Sequence, residues 1–222
     1  MQTILLLGTV LILMGFSTSC NIANASATVI PDPSIDAPLA KTKSEQTAVL
    51  AGGCFWGVEA VFEHVKGVTD VKSGYSGGAA AAAQYGKVSS GTTGHAEAVH
   101  ITFDPSQISY GQLLKVFFAV AHDPTQLNRQ GPDWGTQYRS AIFYSNDEQK
   151  RIAEAYIEQL NKAKVFEGKI VTQLAKLESF HDAEDYHQDY LVNHPDQPYI
   201  VVHDMPKLEN LKKYLPALYK GD

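Results

Sequence analysis

The sequence contains few cysteines, with only Cys20 and Cys54 among its 222 residues. Two cysteines alone form neither a disulfide framework nor a thiolate zinc site. The chain also lacks the His-Glu-x-x-His and Cys-x-x-Cys patterns of metal sites, so we expect no bound metal. It has no Gly-x-Gly-x-x-Gly or P-loop motif, and this argues against a nucleotide cofactor. We therefore expect no bound cofactor of any kind.

Positive charge is also scarce in this chain. Its 18 Lys and Arg residues against 24 Asp and Glu residues give a formal net charge of −6. This balance gives no electrostatic reason to expect a nucleic acid as a partner. Apolar residues make up 44% of the sequence and charged residues 19%, which is ordinary for a globular protein. The length suffices for one domain with one sizeable core.

The first twenty residues carry no charged side chain. The apolar run from Ile4 to Phe16 is short for a membrane span but suits the hydrophobic region of a signal peptide. Small-x-small cleavage sites follow over residues 23–27, and Cys20 is an alternative as the lipid-modified cysteine of a lipoprotein. We interpret residues 1–25 as a signal peptide or lipoprotein leader and residues 26–46 as a flexible linker. The protein is thus expected to be exported, and to be periplasmic, secreted or membrane-anchored on the outer side.

Residues 47–222 have the pattern of a single folded domain. Strands are predicted over 47–50, 96–103, 139–144 and 169–177, and helices from 54, after Ser109 and Ser145, over 182–191 and over 204–214. A Ser-x-x-Glu capping box is expected to begin at Ser145. The irregular alternation predicts an α+β fold, a compact two-layer sandwich of a mixed sheet and flanking helices. The segments 74–94 and 122–137 lack periodicity and are expected to be long functional loops.

Cys54 lies where a strand and a glycine turn pass into a helix. Unsatisfied N–H groups at the start of a helix favour a thiolate by about 0.3–2 kcal/mol, so we expect a lowered pKa for this thiol. Two large aromatic residues, Phe55 and Trp56, follow it directly, which is typical of a ligand pocket. The alternative is an inert buried cysteine whose aromatic neighbours fill the core.

Five short motifs together carry a family resemblance. They are Gly-Cys-Phe-Trp-Gly-Val-Glu at 53–59, Thr-Gly-His-Ala-Glu-Ala-Val at 93–99, His-Asp-Pro-Thr at 122–125, Gly-Thr-Gln-Tyr-Arg-Ser at 135–140 and Ala-Glu-Asp-Tyr-His-Gln at 183–188. In this order, over about residues 48–199, they closely resemble the A-type peptide-methionine (S)-S-oxide reductases.

The resemblance implies catalytic roles for four residues. Cys54 would attack the sulfoxide sulfur, leaving a sulfenic acid and a reduced methionine. Glu97 would donate a proton to the sulfoxide oxygen, assisted by hydrogen bonds from Tyr85 and Tyr138. The chemistry itself also requires an acid, because the S–O bond breaks only if its oxygen leaves protonated. The pKa of Glu97 must therefore be raised by desolvation if this residue is to act at neutral pH.

The resemblance also implies how the substrate binds and what it is. Phe55 and Trp56 would form an apolar wall for the substrate methyl group, and Asp133 would bind the substrate backbone or organise the site. The substrate would be the S epimer of methionine sulfoxide, free or in oxidatively damaged proteins. Electrons would come from an external thiol reductant, either a thioredoxin-like protein or a small thiol.

The recycling step departs from a common family pattern. Many relatives reduce their sulfenic acid with cysteines near the C-terminus, but residues 201–222 contain none. Cys20 lies in the predicted leader, so cleavage would remove it or leave it linked to lipid. The sulfenic acid of Cys54 is therefore expected to react with an external thiol.

Two other functions are consistent with parts of the pattern. A papain-like cysteine protease would explain Cys54 with Trp56 close behind it and His187 or His194 far downstream. Against this reading, the tryptophan is displaced by one residue, and Gly52 or Gly53 stands where a second cysteine is expected. An aromatic peptide-binding module with an incidental cysteine is the non-enzymatic alternative.

Overall fold

The computed structural model describes residues 29–221 of the chain. The predicted leader over residues 1–25, with Cys20, lies outside the described residues. Within residues 29–221, no helix is long and apolar enough to cross a membrane.

A mixed sheet forms the centre of the described domain. Its strands are β1 (Gln46–Gly52), β2 (Val68–Ser76), β3 (Ala96–Phe103), β6 (Ser140–Tyr144), β7 (Gln173–Lys176) and β8 (Phe180–Asp182), while β4 (Arg129–Gln130) and β5 (Asp133–Trp134) form a separate hairpin. The order across the six-stranded sheet is β7-β6-β1-β3-β2-β8. The β6–β7 pair is parallel, and the other described pairs are antiparallel. The predicted α+β class with a mixed sheet is confirmed.

Helices cover one face of this sheet. They are α1 (Phe55–Glu63), α2 (Tyr85–Val88), α3 (Tyr110–Val116), α4 (Asp147–Lys162), α5 (Tyr190–Asn193) and α6 (Met205–Tyr214), with π-helical turns at Phe117–Ala121 and Ile200–Asp204. Alternate strand residues such as Leu50 and Ile101 share one core with helix residues such as Phe62 and Tyr156. The opposite face carries a smaller cluster around Phe143. The alternation along each strand thus separates two apolar layers.

Of the two helix starts predicted at serine residues, one is right and the other is shifted by one residue. Ser109 caps α3 with a full capping box, in which Gln112 completes the reciprocal hydrogen bond. At α4 the N-cap is Asn146, whose side chain accepts from the N–H of Gln149 at 2.9 Å. Ser145 instead bonds the Gln149 side chain. The predicted capping box from Ser145 is therefore wrong by one residue.

The predicted helix over residues 182–191 is also wrong. Residues 180–182 form β8, and Asp189 has φ 51° in the left-handed region, which stops any helix passing through it. The side chain of Gln188 bonds both the N–H and the carbonyl of Ser73 in β2. Attachment to β2 thus overrides local helix propensity in this segment.

Residues 29–45 lie against the domain, although a flexible linker is predicted there. Ile30 is buried in the main core. Tyr156 donates to the carbonyl of Pro31 at 2.8 Å, and the Asp36 carboxylate accepts from the N–H of Gly111 at 2.8 Å. These contacts hold the described part of the segment to α3 and α4.

Candidate active site

A strand, a tight turn and a helix place Cys54. β1 ends at Gly52, and Gly53 has φ 97°, a conformation that L side chains rarely adopt. A Cβ on Gly53 would also lie 2.5 Å from Cγ of Gln130. Both backbone and space therefore require glycine before Cys54, which is the N-cap residue of α1.

Burial dominates the environment of the Cys54 sulfur. The residue is 8% exposed, and the backbone of Trp56 acts to lower the pKa of its thiol. Burial raises the pKa of the thiol well above its ordinary value, the charges of Glu97 and Asp204 add to the increase, and Lys207 opposes it. The predicted lowering of this pKa is therefore wrong for the free protein, because desolvation outweighs the helix N-terminus. The resting sulfur is a thiol.

Glu97 lies beside the same helical turn. It is the second residue of β3, in register with Tyr75 of β2, and is 2% exposed. Its Oε2 accepts from the N–H of Phe55 at 3.2 Å. Burial raises the pKa of Glu97 to about 8, although the Phe55 hydrogen bond works in the opposite direction. Glu97 thus keeps its proton at neutral pH, as an acid requires.

Two tyrosines face the thiol and the acid. Burial raises the pKa of both Tyr85 and Tyr138, and the charges of Glu97 and Cys54 add to the increase in each. Tyr85 begins α2, where its N–H donates to Glu184 at 2.9 Å, and Tyr138 ends the 3-10 turn Thr136–Tyr138. Their hydroxyl groups therefore remain protonated donors near the reacting groups.

Trp56 forms the accessible aromatic surface of the site. Its ring stacks on Tyr190 at a centroid distance of 3.7 Å, and Tyr199 meets it edge-on at 6.0 Å. Its indole N–H donates to Nδ1 of His187 at 3.1 Å. Phe55 is only 1% exposed and lies behind this surface, against Tyr75 and His187. Phe55 therefore supports the pocket from the core.

Asp133 reaches the site from the β4–β5 hairpin. Its carboxylate accepts from the hydroxyl of Tyr199. Burial raises the pKa of Asp133, while the Tyr199 hydrogen bond and the charge of Lys207 act against this increase. Gln130 pairs with Asp133 across the hairpin, and its side chain bonds both the N–H and the carbonyl of Asp123. These bonds anchor the hairpin.

The structure thus assembles all seven residues that the sequence predicts for the site, and it adds others. His187, Tyr190 and Tyr199 surround Trp56, while Asp204 and Lys207 lie near the sulfur. The aromatic residues between 185 and 199 were the available signal, but their arrangement depends on long-range packing. Among residues 29–221, no group of three or more metal-ligating side chains is placed to hold a metal ion.

A buried thiol beside a protonated carboxylic acid and an aromatic pocket defines a thiol-dependent oxidoreductase on an α+β fold. The model of the family described as peptide methionine sulfoxide reductase matches residues 46–217. The chain belongs to this family, and the resemblance found in its motifs is confirmed. It reduces methionine sulfoxide and is regenerated by thiols.

Similar proteins agree with this assignment. "Peptide methionine sulfoxide reductase MsrA 2" of Mesorhizobium japonicum is 60% identical over 174 residues, covering 78% of this chain and 89% of that one. The protein of the same description from Synechocystis sp. is 54% identical over 187 residues, covering 83% and 87%. The reduced form of Mxr1 from Saccharomyces cerevisiae superposes with a TM-score of 0.65 at 34% identity, covering 74% of this chain and 97% of that one.

The raised pKa of Glu97 makes a prediction about stability. The folded protein holds this proton up to about pH 8, whereas the unfolded chain releases it near 4.5. Stability therefore falls as pH rises through this window, and the neutral side chain of Glu97→Gln avoids that loss. We expect the free energy of unfolding of Glu97→Gln, relative to wild type, to increase by at least about 1 kcal/mol between pH 5 and pH 8.5 in urea titrations.

The exposed Glu158→Gln on α4 provides the control for this experiment, since its difference from wild type should stay constant with pH. The buried Glu59 and the half-buried Glu63, whose pKa values desolvation raises to about 7 and about 8, titrate in both proteins and cancel in the comparison. A pH-independent difference for Glu97→Gln would show that Glu97 is already ionised at neutral pH.

Proposed function

We propose that Cys54 is the nucleophile and Glu97 the general acid in the reduction of the S epimer of methionine sulfoxide, free and in damaged proteins. The observation that carries this proposal is the hydrogen bond from the N–H of Phe55 to Glu97. This hydrogen bond holds the Glu97 carboxyl group against Phe55, the residue that follows Cys54. A substrate sulfur that reaches Cys54 therefore brings its oxygen near the proton of Glu97.

The first chemical step then balances without an external proton. The Cys54 sulfur attacks the sulfoxide sulfur while Glu97 protonates the oxygen, and the thiol proton replaces the one that Glu97 gives. This attack forms an S–S bond. The hydroxyl group so produced then passes to the Cys54 sulfur as the S–S bond and the substrate S–O bond both break, which leaves a sulfenic acid and methionine. Tyr85 and Tyr138 donate hydrogen bonds to the oxygen as negative charge develops on it.

The aromatic pocket accounts for substrate orientation. Trp56, held by the Tyr190 stack and the His187 hydrogen bond, offers an apolar surface to the substrate methyl group, and Phe55 supports it from behind. Asp133 with Tyr199 offers a polar group to the substrate backbone. Because the methyl group, the oxygen and the main chain each have a fixed place, only one configuration at sulfur directs its lone pair correctly.

We expect reduction of the S epimer alone when separate S and R epimers of a methionine sulfoxide peptide are assayed with dithiothreitol. Glu97→Gln should lower turnover of the S epimer by about 10²–10⁴ at neutral pH, the usual contribution of a general acid. Cys54→Ser should have essentially no activity, which sets the background of the assay.

Four results of this assay would count against the proposal. Full turnover by Glu97→Gln would mean that another group supplies the proton. Retained activity in Cys54→Ser would remove the nucleophile. Cleavage of the peptide amide would instead indicate a cysteine protease, and peptide binding without chemistry would indicate the binding module.

We also propose that the sulfenic acid is reduced directly by an external thiol, from a thioredoxin-like protein or a small molecule. Cys54 is the only cysteine from residue 21 to residue 222. An internal disulfide therefore has no second sulfur within the domain.

Treating the reduced, mature protein with excess sulfoxide and no thiol should release one methionine per chain. Cys54 should then react with dimedone, as detected by mass spectrometry of its peptide. Cys54→Ser, treated alike, should release none. Release of two methionines per chain, or an intrachain disulfide, would establish an internal resolving cysteine.

Finally, we propose that the protein is exported and works outside the cytoplasm. The apolar run from Ile4 to Phe16 and the small-residue sites after it support this proposal. Mass spectrometry of the mature N-terminus should find a start at a lipidated Cys20 or near residues 26–28. An intact Met1 on protein recovered from the cytoplasm would argue against export, and an unmodified start near residue 26 would exclude the lipid anchor.

A further inference from the structure

A buried ion pair lies next to the first turn of α1, and the reaction described above does not use it. Lys207 Nζ lies 3.0 Å from Asp204 Oδ1, with the two side chains 7% and 0% exposed. Asp204 ends the π-helical turn Ile200–Asp204, and Lys207 lies in the first turn of α6. Desolvation of two buried charges offsets most of their attraction, so stability alone is a weak reason for such a pair.

This ion pair contacts the helical turn that holds the Cys54 sulfur. A Cβ on Gly57 would overlap Asp204 Oδ1 and lie 2.7 Å from Lys207 Nζ. Gly57 is the third residue of α1, the position that an N-cap side chain faces across the first turn. Both charges therefore lie within about one helical turn of the Cys54 side chain.

The two charges act on the sulfur with opposite signs. Asp204 raises the pKa of the Cys54 thiol, and Lys207 lowers it. Asp204 Oδ2 has no hydrogen-bond partner among the described residues, although this carboxylate is fully buried. The negative charge is therefore only partly compensated by Lys207.

We propose that Asp204 and Lys207 are positioning residues that set the balance between thiol and thiolate at Cys54. The ammonium group supplies the positive charge that stabilises a thiolate in a dry site. The carboxylate fixes the ammonium beside Gly57 and limits its effect. This inference rests on the proposed role of Cys54, but a test by alkylation needs no turnover and separates the two.

Other titratable groups face the sulfur from the neighbouring elements and stay unchanged in the test. They are Glu97 of β3, Tyr85 of α2, Tyr138 of the 3-10 turn and Tyr199 before the π-helical turn. Asp133 and His122 lie near Lys207 as well. Only differences between variants that share these groups are therefore informative.

The test is the midpoint of the rate of iodoacetamide alkylation against pH, measured on the full chain by mass spectrometry of the Cys54 peptide. Asp204→Asn leaves the ammonium unopposed, so its midpoint should fall below that of wild type. Lys207→Met leaves the carboxylate unopposed, so its midpoint should rise. A shift of one pH unit corresponds to about a tenfold change in alkylation rate below the midpoint.

Three controls keep the test decisive. Lys207→Arg retains the charge and should return the midpoint toward wild type. The double variant Asp204→Asn/Lys207→Met removes both charges, so its midpoint should lie between those of the single variants. If Lys207→Met does not fold, the midpoint of the double variant should still lie above that of Asp204→Asn. Glu158→Gln and Lys162→Met, from an exposed ion pair on α4 with a 2.7 Å separation, should shift nothing.

Two results would overturn the proposal. Midpoints that move in the same direction in both single variants would indicate a site opened by misfolding, which returns the thiol toward its ordinary pKa whichever charge is lost. Midpoints that do not move at all would show that the ion pair has no influence on the sulfur.

Discussion

The hydrogen bond from the N–H of Phe55 to the carboxyl group of Glu97 connects the two halves of the site. It joins the first turn of α1 to the start of β3, and its two residues are 42 positions apart in the chain. Because Glu97 takes up one unsatisfied N–H group of the helix, the helix start and the acid fix each other. The thiol of Cys54 then lies beside a group that can give and receive a proton. The proposed nucleophile and the proposed acid both depend on this junction.

Desolvation gives that junction its chemical character. Burial raises the pKa of both Cys54 and Glu97, so each holds its proton in the resting protein. Two anions side by side in a dry pocket would repel one another, and neutral forms avoid this cost. In the proposed mechanism, the thiol therefore gains nucleophilicity only when a polar sulfoxide enters and accepts the proton of Glu97. In this mechanism, the exclusion of solvent makes the reactivity of the thiol depend on the presence of substrate.

The sequence predicts this site better than it predicts the fold around it. The strand containing Glu97 and the Ser109 cap follow from local patterns and lie as expected, whereas the roles of the site residues rest on the family resemblance. Phe55 lies behind the pocket surface and not in it. β2 was not predicted, because it contains Gly74 and has little alternation, although it pairs with both β3 and β8. The helix expected over 182–191 fails for a similar reason, since Gln188 bonds the backbone of β2. A side chain that bonds a strand's backbone, as Gln188 does, produces no periodic pattern in the sequence.

The segment from Tyr199 to Lys207 shows what such long-range packing contributes to function. The sequence of this segment indicates only the start of a helix, with Pro206 in the first turn of α6. In the structure, Tyr199 contacts both Trp56 and Asp133, while Asp204 and Lys207 press against Gly57. Gly57 has φ in the helical range, so its lack of a side chain is required by space and not by backbone conformation. Gly57, the second glycine of the Gly-Cys-Phe-Trp-Gly motif, therefore leaves the space that Asp204 and Lys207 occupy beside the first turn of α1.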